Sequence, residues 1–335
     1  MRVYVTAIEG AAALNTVSVL DSITKSNDAW RFLTGDEEPP LLQPHVVGLN
    51  PRPVQFLNGV TVSPTVVAEP EDIPEIVVVP GLDDDVPPSL EANFGWVEWI
   101  GHWSSRGAVV ASSCTGAFVL AEAGALDGKQ ATTHWVAEKL FKASYPEVEL
   151  LVDRIIVDEG DVITSGGATT AFNLVLYLLS RYGSHDRVSA ATRMMLLDSG
   201  RSHQTPFTAL GIHRWHNDGL VHDAQSAVHQ GAVKPLTVDA LAEHVGTSSR
   251  TLRRRFNAAI GMSPKGYLEA VQIEAAKRLL EQTDLTIDSI LTEVGFMDAT
   301  SFRRAFKRAV SLTPTQYRQR FSARYLRPEP ASSSR

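Results

Sequence analysis

The sequence predicts two domains of different class. One is an α/β domain with a parallel sheet flanked by helices; the other is an all-α domain with two helix-turn-helix units. Three observations carry this. Up to about residue 182, short apolar β-rich runs alternate with helical ones. The stretch from 236 to 267 is repeated, in altered form, from 285 to 317. The charge divides in the same way: residues 232–335 hold 17 Lys and Arg against 10 Asp and Glu, net +7, whereas residues 1–231 hold 14 against 28, net −14.

Along the first domain, residues 2–8, 46–49, 60–63, 75–79, 108–112, 154–157 and 162–165 read as strands. Residues 14–25, 94–105, 117–123 and 169–182 read as helices, and 187–197 is a further helical stretch. Apolar strands followed by helices imply a largely parallel sheet covered on both faces. The polar, His-rich region 199–233 is expected to join the domains, with a helix after Trp215. The expected organisation is 1–198, a linker region 199–233, a DNA-binding domain 234–325 and a flexible tail 326–335. No apolar run approaches membrane-spanning length, the first residues lack a signal-peptide pattern, and a single Cys excludes an intramolecular disulfide framework. A cytoplasmic protein without a membrane partner is expected.

In the repeat, Leu236-Thr237-Val238-Asp239 matches Leu285-Thr286-Ile287-Asp288, and Val245-Gly246 matches Val294-Gly295. After one extra residue in the second copy, the run from Leu252 to Phe256 faces the run from Phe302 to Phe306, and Pro264 and Tyr267 match Pro314 and Tyr317. In the first copy Val238, Leu241, Ala242 and Val245 give one apolar face, with Thr237 or Asp239 as the cap. Gly246 suits the left-handed turn that ends this helix, and Ser248 or Ser249 can cap the next. At 100° per residue from Leu252, Arg254 lies opposite the core, Arg250 and Asn257 beside it, and Arg253 at the edge. In the second copy Phe302 and Phe306 point inward, Thr300, Arg303, Arg304 and Lys307 point outward, and Asp298 or Thr300 caps. A charged helix face is usually a solvated surface; two matched basic faces instead fit major-groove recognition helices of a protein that binds double-stranded DNA.

These runs resemble the C-terminal DNA-binding domain of the AraC/XylS family of bacterial transcription regulators. The resemblance rests on Ser248-Ser-Arg-Thr-Leu-Arg-Arg-Arg-Phe256, Gly261-Met-Ser-Pro264, Val294-Gly295-Phe296, Ser301-Phe302-Arg303-Arg304-Ala305-Phe306-Lys307 and Thr313-Pro314. It implies a helix from about 264 to 281 joining the two units, a homodimer and an RNA polymerase partner. This chain departs from the pattern at Gln272, where a basic residue is common, at Leu291, where Ala is, and at Ser311, where Gly is.

In the first domain the informative run is Ala108-Val-Val-Ala-Ser-Ser-Cys114-Thr-Gly116. An apolar strand leads into Cys114 and a helix follows, the layout of a nucleophile elbow, where helix N–H groups favour a thiolate. His134 in Thr132-Thr133-His134 could lie beside the thiol. With Val77-Val-Val-Pro80-Gly81 and the run from Ile163 to Thr170, this resembles the PfpI-like branch of the class I glutamine-amidotransferase superfamily and implies a flavodoxin-like fold. Together the halves resemble AraC-type regulators with an amidase-like sensory domain. Active members usually carry a Glu where Asn15 stands, PfpI-type peptidases a His where Thr115 stands, and many a second Gly where Leu82 stands. Thiol catalysis needs a base and an orienting group. The expectation is a ligand-responsive regulator whose sensor domain does no chemistry, with Cys114 and His134 a vestigial elbow. A small-molecule effector is expected at Asn15, Gly81, Cys114, Thr115 and His134, with no cofactor and no metal. The alternatives are a thiol amidohydrolase or aldehyde-removing enzyme fused to a DNA-binding domain, a redox sensor acting through Cys114, and a purely structural elbow.

Other constellations are weaker. His213 and His216 are spaced i, i+3, but no partners complete a four-ligand set. Asp83-Asp84-Asp85 reads as a solvated loop, and Trp96, Trp99 and Trp103 as packing residues or part of a dimer contact.

Overall fold

The computed structural model describes residues 1–35, 39–68, 74–83, 85–197, 200–208, 216–231 and 236–322. Parts of the expected linker (209–215 and 232–235, with His213), Asp84 and the expected tail lie outside them. The chain divides into two compact units, Met1–Gln204 and Thr205–Arg335.

The first unit is an α/β sandwich. Its elements are β1 (Arg2–Thr6), α1 (Ala13–Thr34), β2 (Gln43–Gly48), β3 (Val54–Gln55), β4 (Thr61–Val62), β5 (Val66–Val67), β6 (Ile76–Val79), α2 (Val86–Ala92) and α3 (Phe94–Ser104). Then follow β7 (Val109–Ser113), α4 (Ala117–Glu122), β8 (Gln130–Ala131), α5 (Glu138–Ser144), β9 (Glu149–Leu150), β10 (Ile156–Asp158), β11 (Val162–Ser165), α6 (Thr170–Tyr182) and α7 (His185–Met194). The seven-stranded sheet has the order β10-β11-β7-β6-β1-β2-β5, parallel except for β10 against β11. Its strands are apolar on both faces because helices cover both. Val3, Val5, Ile76, Val78, Ala111 and Ile163 join the layer of α1, α6 and α7; Tyr4, Val77, Val79, Val110 and Val162 join the other.

Residues 60–63, read as a strand, supply β4 of a separate hairpin with β3; the sheet edge is β5, a two-residue strand too short to show a period. The helix read at 14–25 runs on to Thr34, where Gly35 ends it at φ 68°. Trp96 and Trp103 are buried with Trp99 edge-on between them, so the three rings pack on one another within the unit.

The second unit is helical: α8 (Gly219–His229), α9 (Val238–His244), α10 (Ser249–Ile260), α11 (Pro264–Gln282), α12 (Ile287–Glu293), α13 (Ala299–Val310) and α14 (Pro314–Phe321). It has two cores. Leu241, Leu252, Phe256 and Tyr267 form the first, and Ile290, Phe302, Phe306 and Tyr317 the second. α11 serves both, with Leu268 in one and Ile273, Ala276 and Leu280 in the other.

The region expected as linker contributes to both units. Gln204 is buried in the first, and α8 packs Val221, Ala224, Ala227 and Val228 into the first helical core. α8 is the helix expected after Trp215, and its apolar residues have the spacing of an ordinary amphipathic helix.

Candidate functional site

The face expected to meet nucleic acid is built from matched caps and matched exposed residues. Thr237 caps α9 and Ser248 caps α10, each accepting from the backbone N–H three residues on. Thr286 and Asp298 do the same for α12 and α13. The Asp298 carboxylate, held by the Ser301 backbone and hydroxyl, lies below the usual carboxylate range. Such caps accept from the otherwise orphaned donors at each helix start and fix the entry angle. Gly246 and Gly295 make the two turns at φ 66° and 82°. The extra residue of the second copy falls in its turn, where Phe296 packs on Phe302 and Met297 is 96% exposed.

Arg250, Arg253, Arg254 and Asn257 are all exposed on α10, and Thr300, Arg303, Arg304 and Lys307 are all exposed on α13. Each pair sits at the same step from its cap. Two neighbouring arginines do something else. Arg255 grips Asp218 with two bonds of 2.7 and 2.8 Å, fastening α10 to α8, and Arg308 pairs with Glu269 of α11. The departures have local explanations. The Gln272 amide donates to the Val294 and Gly295 carbonyls at the end of α12, where a basic side chain would also be favourable. Leu291 fills the second core, and Ser311 takes φ 60°.

In the first unit the expected ligand residues lie at the carboxyl ends of the strands. β1 stands between β2 and β6, so the connections leave it in opposite directions, the place where open α/β sheets bind ligands. Cys114 follows β7 at φ 57°, a left-handed conformation that costs a non-glycine residue about 1–2 kcal/mol. Its N–H donates to Gly166 O at 2.8 Å, and its carbonyl accepts from the Thr133 hydroxyl at 2.9 Å. Gly116 allows the tight turn: a methyl there would lie 2.5 Å from the Val79 and Pro80 carbonyls. A methyl on Gly81 would lie 3.3 Å from Cys114 Sγ and 3.2 Å from Asn15 Oδ1, so Asn15, Gly81 and Cys114 converge on one point.

Asn15 is 2% exposed and its amide donates to Ala168 O at 3.1 Å; Ala168 is itself left-handed at φ 50°. The Thr115 hydroxyl donates to Leu82 O. His134 packs its ring on Gly167, and its Nδ1 accepts from Val136 N–H, so a neutral ring carries its proton on Nε2. His134 thus stands at the Gly167 loop, tied to the elbow through Thr133. Beneath this end of the sheet, on the α1 and α6 side, lie the register partners Ser113 and Ser165 with Thr16, Thr170 and Asn173. Their side-chain oxygens are buried and unpartnered among the described residues.

Sequence reasoning missed Gln204. It is 3% exposed, and its Nε2 lies within 2.8–3.3 Å of Thr132 Oγ1 and the Thr133, Val152 and Arg154 carbonyls, while its Oε1 accepts from Gly167 N–H. No local pattern marks such a residue, because every partner is more than 35 positions away. Among the described residues no group of three or more His, Cys, Asp or Glu could hold a metal ion, and no helix is long and apolar enough to cross a membrane.

Comparison with known proteins agrees with this architecture. The DJ-1/PfpI family matches residues 1–181, and a helix-turn-helix domain matches residues 241–320. The HTH-type transcriptional regulator CdhR of Pseudomonas aeruginosa is 29% identical over 82% of this chain and 81% of its own length. The HTH-type transcriptional regulator GbdR of the same species is 24% identical over 82% and 74%. A crystal structure of a putative transcriptional regulator protein from Vibrio parahaemolyticus shares the fold of the first unit, with TM-score 0.50, 22% identity, and coverage of 58% of this chain and 98% of that one. The chain belongs to the DJ-1/PfpI family and carries a helix-turn-helix domain of the AraC type behind it.

Proposed function

We propose that this protein is a ligand-responsive, sequence-specific DNA-binding regulator whose DJ-1/PfpI domain binds a small polar effector and does no chemistry. The observation that carries it is the pair of capped helices presenting four exposed polar or basic side chains each at matched steps, with Arg255 and Arg308 instead paired to Asp218 and Glu269. Guanidinium groups and an amide on such a face suit base edges, and Lys307 suits a phosphate. The relatives named as transcriptional regulators support the same reading.

For the sensor, support comes from Asn15. Its amide and the Cys114 thiol converge on Gly81, and an amide is no general base. The unpartnered oxygens of Ser113, Ser165, Thr16, Thr170 and Asn173 favour a hydrogen-bonding occupant at that end of the sheet. No charged group is among them, which favours an uncharged polar end. The exposed Phe32 and Leu33 at the end of α1 offer apolar surface to a homodimer.

The test is selection of a duplex from a random pool by the purified protein, followed by footprinting. Two protected segments about one helical turn apart per subunit are expected; a single segment would count against two readers. In parallel, amide, peptide and aldehyde substrates should show no turnover. Hydrolysis that disappears in Cys114→Ala would favour the enzyme.

A further inference from the structure

The regulator reading leaves open how a site at Cys114 reaches the DNA-reading helices. Gln204 and Thr205 are consecutive residues that end one unit and begin the other. Gln204 ties together the Thr132-Thr133 segment, the Val152 and Arg154 carbonyls and Gly167 N–H. The same two loops hold the Cys114 backbone, Thr133 through its hydroxyl on Cys114 O and Gly166 through its carbonyl on Cys114 N–H. Gly166 is moulded to Gln204, since a methyl there would fall 2.4–2.7 Å from the Gln204 amide group. Gly167, which donates to Gln204, also carries the His134 ring. Any occupant that shifts these loops therefore acts on Gln204 within one hydrogen bond.

Within the second unit, Thr205 Oγ1 lies 2.8 Å from Ser311 Oγ, the residue whose left-handed turn closes α13. Pro206 is buried, and the Phe207 ring meets Phe321 at 5.3 Å, on the helix after α13. The segment after Gln204 is thus fixed to the end of the second recognition helix.

We propose that Gln204 and Thr205 form the coupling element of the protein: Gln204 reads the arrangement of the loops around Cys114, and Thr205 passes it to the carboxyl end of α13. This inference rests on the regulator reading. A ligand shifts DNA affinity only through contacts that differ between two states, and a short element anchored at both ends supplies such a difference. A flexible joint with no anchors would not.

Cys114 is the single thiol of the chain, so iodoacetamide serves as a defined probe of site occupancy. The full-length protein is alkylated, modification is confirmed by mass, and two readouts follow: hydrogen exchange of peptides covering 299–321, and affinity for the selected duplex. In the wild type, alkylation is expected to change exchange and affinity by about fivefold or more, the low end of ordinary coupling. In Gln204→Glu, which replaces the amide NH2 that faces four acceptors with a carboxyl oxygen, the thiol should still react and the unmodified affinity should remain, but the response should vanish. Should Gln204→Glu fold poorly, a Gly-Ser-Gly insertion between Gln204 and Thr205 leaves both anchors intact and should abolish the response by slackening the joint. A wild type without response, or either variant with an undiminished one, overturns the proposal. Exchange needs no DNA, so a protein that selects no duplex would sink the regulator reading while leaving this readout decisive.

Discussion

Gly261 and Ser311 end α10 and α13 in the same backbone conformation, φ 68° and 60°, each donating its N–H to the carbonyl four residues back. Only one of them is the residue that this conformation favours. A side chain in the left-handed region costs about 1–2 kcal/mol, and Ser311 offsets part of it through Thr205. Gly261→Ser should therefore destabilise the helical unit by about 1 kcal/mol. Ser311→Gly should stabilise it by less, because the Thr205 bond is lost. With Thr205→Val already in place the gain from Ser311→Gly should grow. Urea unfolding of the four proteins checks this, and equal gains in both backgrounds would remove any role for the Thr205 bond.

The matched faces predict matched losses. Arg254→Ala or Arg304→Ala should weaken binding to the selected duplex by about 1–3 kcal/mol, with relaxed preference at one base pair. Lys307→Ala should lower affinity for all sequences and flatten the salt dependence by about one unit of slope. Arg308→Ala, which breaks the pair with Glu269, should change stability and leave base preference intact. Anisotropy titrations at several salt concentrations separate these; unchanged binding in the Arg254, Arg304 double variant would discard both helices as readers.

Asp218 sets a pH window. The Arg255 guanidinium, then the Val221 backbone N–H, hold its carboxyl below the usual carboxylate range. A depressed pKa adds stability that is present above the unfolded value, about 3.9, and is lost as pH falls through the lower folded value. Asp218→Asn should melt below the wild type at pH 7, and the gap should close below about pH 4. The pair is only half-buried, so the gap should also shrink with added salt. A gap independent of pH would mean that ionisation of Asp218 adds nothing to stability.

What could be read from the sequence was what repeats or alternates locally. Val3-Tyr4-Val5 and Ile76-Val77-Val78-Val79 announce buried parallel strands because both faces are covered. The caps Thr237, Ser248 and Asp298 stand three residues before the N–H groups they accept from, and the 50-residue offset between Arg254 and Arg304 transfers the outward face from one helix to the other. What stayed hidden is held by distant partners. Gln204 bonds residues 37 to 72 positions away, so it reads as one more polar linker residue. Arg255 looks like Arg253 and Arg254 until Asp218, on a helix 37 positions earlier, claims it. The convergence of Asn15, Gly81 and Cys114 needs three strand ends brought side by side, which only the parallel order of the sheet supplies.

That convergence gives the last prediction. A methyl on Gly81 would stand 2.9 Å from Cys114 Cβ and 3.3 Å from its sulfur, with Asn15 Oδ1 at 3.2 Å. Gly81 lies outside the left-handed region, so Gly81→Ala adds volume without backbone strain. The space must come from the Cys114 side chain, because Asn15 is held by Ala168 O and the elbow backbone by Thr133 and Gly166. The thiol should become harder to reach, and its alkylation by iodoacetamide should slow about tenfold, equal to about 1.4 kcal/mol of added barrier. Affinity for the selected duplex should remain within about twofold, since the proposed readers belong to another unit. Alkylation at the wild-type rate in a folded Gly81→Ala protein would mean that the open side of Cys114 faces away from Gly81 and Asn15, and that the effector contacts are drawn from other residues.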